Sequence, residues 1–208
     1  MAAKLWVAGV VIAMVAAGAR ADSNLLLNGD FDSDAAEWNL ATTLTGQFSW
    51  VSSADADGCT MSGSGEIGNT ETFSDNAETF LESECLPADD ATTYRISAAM
   101  QFVVQGSGSG YVALEYFSSS TDCALPVGAP AVSALIDDQT AGWQELQASG
   151  ETPAGTLHVK ALVVLRKANH ADPSALAELD RVRVVPVSVV DEHDFEIGET
   201  CRWSDTSP

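Results

Sequence analysis

The chain is poor in positive charge: its 208 residues include nine lysines and arginines against 30 aspartates and glutamates. Nucleic acids and anionic membranes are bound through clustered cations, so this shortage argues against either partner. Histidine is scarce as well. His158, His170 and His193 are the only three, and none stands at metal-ligand or catalytic-triad spacing. There is no CxxC pair to suggest a zinc site, no G-x-S-x-G nucleophile elbow, and no phosphate loop ending in Lys-Ser/Thr. Beyond the first 20 residues no apolar run is long enough to cross a bilayer.

The one long apolar run lies at the start. Lys4 precedes an apolar stretch from Leu5 to Ala17, and Ala19-Arg20-Ala21 fits a small-x-small cleavage site. The run is shorter than the ~20 residues a spanning helix needs. Residues 1–21 are therefore expected to be a cleaved signal peptide, placing the protein outside the cell or in a periplasm by bacterial-type export. Losing Lys4 and Arg20 leaves seven basic against 30 acidic residues, a net charge of −23. Because the acids are spread along the whole chain, they read first as a solvated exterior that resists aggregation. Cation binding is the sharper reading.

Four cysteines, Cys59, Cys85, Cys123 and Cys201, in an exported chain suggest two disulfides. Three connectivities are possible. The preferred one is Cys59–Cys85, flanking one apparent hairpin, with Cys123–Cys201 tying down the C-terminus.

From Trp38 onward the apolar pattern has period two and is broken by turn residues, which predicts an all-β domain over residues 22–187. Tyr94 to Val104 is the clearest strand, with Tyr94, Ile96, Ala98, Met100 and Phe102 on one face. Gln47–Ser52, Tyr111–Phe117, Trp143–Ser149 and Leu157–Arg166 follow the same logic, and Leu179–Val185 does so with imperfect alternation. Gly106–Gly110 reads as a hairpin connection, and Ala175–Glu178 hints at a helical turn. Eight or nine short strands of this kind describe a β-sandwich, best a jelly roll.

The segment Asn24-Leu-Leu-Leu-Asn-Gly-Asp-Phe-Asp…Trp38 resembles the start of carbohydrate-binding modules attached to bacterial xylanases and endoglucanases. Cys85-Leu-Pro, Thr93–Ala98, Val112–Phe117, Gly142–Leu146 and Glu178–Val182 follow the same template in order. The resemblance implies a galactose-binding-like jelly roll and a non-catalytic binding role. It also implies a structural Ca2+ between the N-terminal strand and the last strand, held by Asp30 and Asp180, with Asp55-Ala-Asp57-Gly58 nearby in position. Oxygen donors of this kind suit a hard cation. Arg181 departs from the template, which has a second aspartate there. Asp30-Phe-Asp32-Ser-Asp34 also mimics an EF-hand opening, but Ala35 and Ala41 stand where that loop needs glycine and glutamate.

A sugar needs an aromatic face and a few fixed polar groups. Tyr111 and Phe117 are the outward aromatics of their strand, and Arg95, Gln101 and Glu115 are the polar neighbours if the two strands share a sheet. Trp38 and Trp143 are expected to pack in the core, and Trp50 fits either core or groove. Three functions are consistent with these residues: a module for polysaccharide or cell-surface glycan, a structural or adhesion domain without a groove, and, most distantly, a glycan-active enzyme. Residues 188–208 form a tail in which Asp194-Phe-Glu…Trp203 echoes the opening motif.

Overall fold

The structure, a computed structural model, describes residues 24–41, 45–58, 62–104, 108–119, 122–138 and 140–187. The expected signal peptide, Cys59, Cys201 and the tail lie outside the described residues.

Among the described residues, alternating apolar side chains produce eleven strands in two antiparallel sheets. The first sheet runs β1 (Trp38–Leu40), β4 (Ala77–Ser83), β10 (His158–Lys167), β7 (Gly108–Phe117) and β8 (Ala131–Val132), with β5 (Leu86–Pro87) added beside β10. The second runs β2 (Gly46–Val51), β3 (Ser64–Asn69), β11 (Ala175–Pro186), β6 (Thr93–Val104) and β9 (Gln144–Glu151). This is the all-β sandwich expected from the alternation. Ile67, Leu81, Ile96, Met100, Leu114, Val163, Leu165 and Leu179 fill the space between the sheets and are 0 % exposed. Burial of each such side chain stabilises the fold by about 1.5–3 kcal/mol.

Several local expectations are corrected. β6 and β7 belong to different sheets and do not form a hairpin, and Gly108–Gly110, expected to be part of the connection, opens β7 itself. Ala175–Glu178 is strand, paired with β3 and β6. The glycine-rich Ser64–Asn69 is a strand because its missing side chains make room for aromatics. A Cβ on Gly65 would stand 3.0 Å from the rings of Phe31 and Phe48. The imperfect alternation of the last strand is a bulge between Asp180 and Arg183, centred on Arg181 at φ 51°. The bulge returns Val182 and Val184 to the core, where both are 0 % exposed.

Among the described residues the disulfide is Cys85–Cys123, with Cα atoms 5.9 Å apart. This overturns both preferred pairings. Cys85 lies at the entry to β5 and Cys123 in the loop after β7, and β5 and β7 both pair with β10. Proximity in the sheet, invisible in cysteine spacing, decides the partner.

Candidate functional site

The opening motif is a structural clasp. Asn24 accepts the Val184 N–H at 2.9 Å, Leu25 N–H donates to Val184 O at 2.9 Å, and Val182 N–H donates to Gly29 O at 2.8 Å. The segment therefore lies along the bulge of β11. Gly29 is required there, since a Cβ would sit 2.0 Å from the Val182 carbonyl oxygen. Phe31, at φ 47° and 0 % exposed, plugs the core between Trp38 and Phe48. Trp38 and Trp50 each donate an indole N–H to this segment, to Asn28 O at 3.1 Å and to Phe31 O at 2.7 Å. Trp38 is thus in the core, as expected, and Trp50 is settled as a packing residue. Trp143 is only half-buried and stands outside the core.

Acids gather at the outer end of this clasp. Asp180 is 2 % exposed, and its carboxylate accepts the N–H of Ala56 at 2.9 Å and of Arg181 at 2.7 Å. Burial pushes its pKa up to about 7, and the charges of Asp55 and Asp30 push the same way. The bulge also turns Arg181 towards the acids: it pairs with Asp57 at 3.3 Å and with Glu145. Arg183 stands 3.8 Å from Asp30. The structure thus brings Asp30, Asp180 and the Asp55–Asp57 turn together. Among the described residues no group of three or more histidine, cysteine or acidic side chains is arranged to hold a metal.

The second candidate is the outer face of the first sheet. Alternation on β4, β10 and β7 points one set of residues away from the core. Strand register then sets Phe80, Val164 and Tyr111 side by side in one row, with Glu82, Leu162 and Ala113 in the next. Ala113, Leu162 and Val164 are buried although they face outward, because half-buried Phe80 and Tyr111 pack over them. Charged groups border this apolar strip. On one side Lys160 pairs with Glu82 at 2.9 Å and lies directly across from Glu115. Burial raises the Glu115 pKa, Glu82 adds to the rise, and Lys160 opposes it. On the other side Arg166 lies across from Glu78, which accepts the Tyr111 hydroxyl at 3.1 Å. Burial and that carboxylate raise the phenol pKa to about 12, so Tyr111 stays a hydrogen-bond donor at neutral pH.

The expected sugar-binding set is divided by this geometry. Tyr111, Glu115 and Phe117 lie on β7 of the first sheet, while Arg95 and Gln101 lie on β6 of the second. Gln101 is engaged with the Glu178 carboxylate. Phe117 is 6 % exposed and carries the Lys160 ammonium 5.8 Å from its ring centroid, so its face is already covered. Phe80, Glu78, Glu82 and Lys160 were missed. The alternation of Ala77–Ser83 was the signal for the first three, with Glu78, Phe80 and Glu82 sharing one parity.

No family model matches the sequence, and no curated protein sequence matches it. Solved structures do match. One is described as a family 16 carbohydrate-binding module: 16% identity, TM-score 0.53, covering 78% of this chain and 99% of the other. The chain shares its fold. A xylan-binding domain of family 22 matches at 13% identity and TM-score 0.53, covering 81% of this chain and 99% of the other. A family 61 module in complex with β-1,4-galactotriose matches at 12% identity and TM-score 0.52, covering 79% and 99%.

Proposed function

We propose that the chain is an exported, non-catalytic module that binds a neutral polysaccharide on the outer face of its first sheet. The observation that carries this reading is the row Phe80–Val164–Tyr111 with charged groups on both sides. An apolar strip meets the C–H faces of sugar rings, and the flanking carboxylates and ammonium meet hydroxyls. The preponderance of acids at this face, Glu78, Glu82 and Glu115 against Lys160 and Arg166, favours neutral sugars over uronates. The sandwich shared with modules described as binding xylan and β-1,4-galactotriose supports the same class of ligand. The Cys85–Cys123 bond suits the oxidising compartment that the leader sequence implies.

Calorimetry with xylohexaose and β-1,4-galactotriose tests this reading. Saturable binding of either, lost in Tyr111→Ala, is expected. Absence of binding to both, and to xylan, would overturn it.

For the junction we propose a structural calcium that Asp30 and Asp180 would hold, with carbonyl oxygens completing the shell. The rise in the Asp180 pKa, to which its neighbouring acids contribute, supports the proposal, because a cation would relieve that repulsion. Arg181 and Arg183 already neutralise part of the cluster and oppose it. Chelation should lower the melting temperature of the wild type and leave Asp180→Ala unchanged. A melting curve insensitive to chelator rejects the site.

A further inference from the structure

Lys167 ends β10 pointing inward and is 1 % exposed, a position in which a charge is costly unless it is bonded. Its ammonium donates to the carbonyl of Glu71 and to that of His170 at 3.3 Å. Loops 70–76 and 168–174 are thereby held together at one end of the sandwich. Further bonds fix the first loop. The Glu71 carboxylate accepts the N–H of Thr72 at 2.9 Å and of Phe73 at 2.6 Å, and Asp75 pairs with His170 at 2.7 Å. Asn76 N–H donates to Ala168 O at 3.1 Å, and the Asn76 side chain accepts from Arg166.

Phe73, in this fixed loop, is 87 % exposed, the barest large apolar side chain among the described residues. Its ring contributes little to folding, yet the loop that carries it is held by a buried lysine. A rigid, exposed aromatic binds with little further loss of conformational freedom. Its position is also suggestive. Phe73 stands three positions before Asn76, a span of at most about 10 Å. Asn76 in turn is bonded to Arg166, which faces Glu78 at the border of the apolar strip.

We propose that Phe73 is a further aromatic contact for the glycan, beyond Phe80 and Tyr111, extending the sheet-face site past Glu78 and Arg166. The site then favours a chain of several sugars over a short fragment. This rests on the glycan reading of the sheet face.

The full chain is titrated with β-1,4-linked xylo- and galacto-oligosaccharides of three and six units. Phe73→Ala is expected to weaken hexasaccharide binding about tenfold and trisaccharide binding less than about twofold. Phe73→Trp should restore hexasaccharide affinity, and both variants should melt like the wild type. Unchanged hexasaccharide affinity in Phe73→Ala, with the wild type binding, overturns the role of Phe73 and leaves the sheet-face reading intact. Failure of the wild type to bind any of the four oligosaccharides overturns both.

Discussion

Phe80 and Tyr111 flank Val164 from neighbouring strands and close over it on the outer face of the first sheet. An outward-facing valine at 0 % exposure shows how tightly the two rings cover the strip between them. Truncating either ring opens this cluster. Tyr111→Ala should reduce glycan affinity tenfold or more, whereas Tyr111→Phe, which keeps the ring, should cost about threefold. Arg95→Ala and Gln101→Ala lie on the other sheet and should leave affinity unchanged. Titration calorimetry on the four variants checks the contrast.

Gly29→Ala should destabilise the fold by about 3 kcal/mol, because its Cβ would sit 2.0 Å from a backbone carbonyl that has no room to retreat. Urea unfolding measures the loss. A stability equal to that of the wild type would mean that the N-terminal clasp is not seated against β11.

Asp180 gives stability a pH dependence of defined sign. Its folded pKa of about 7 lies above the ordinary aspartate value of 3.8, so the native state binds the extra proton between those values. The contribution is fully present below pH 4 and is lost as the pH rises through 7. In chelator, the stability of the wild type relative to Asp180→Asn should therefore fall from pH 4 to pH 8. Thermal melts across that range test it, and a flat difference rejects the buried, crowded carboxyl.

The Cys85–Cys123 bridge closes a loop with a sequence separation of 38. Chain-entropy arguments assign such a loop about 4 kcal/mol. Replacing both cysteines by alanine should cost about 2–4 kcal/mol, read by urea unfolding of the oxidised protein. Peptide mapping that recovered Cys59–Cys85 instead would contradict the geometry.

The sandwich was legible where side chains alternate cleanly. Tyr94–Val104 and Leu157–Arg166 fall within one residue of β6 and β10. It was hidden where small residues form a strand: Ser64–Asn69 shows mainly glycine and small polar residues, and its place becomes clear only with the rings of Phe31 and Phe48 set against it. Sheet membership was also hidden, because alternation shows which way a residue faces and not which strand lies beside it. That ambiguity joined Arg95 and Gln101 to Tyr111, and it kept Phe80, on a strand distant in sequence, out of the site. The acid cluster was reached through Asp30 and Asp180. The role of Arg181 was not, because the bulge that turns its guanidinium towards Asp57 and Glu145 breaks the alternation on which the reading relied.

Backbone amide shifts of the 15N-labelled protein, followed during titration with xylohexaose and then β-1,4-galactotriose, locate the bound sugar directly. Saturable changes are predicted at Phe80, Tyr111, Ala113 and Leu162, with Ser97, Ala99 and Gln101 unmoved. Changes centred on the second sheet, or none with either sugar, would contradict the account.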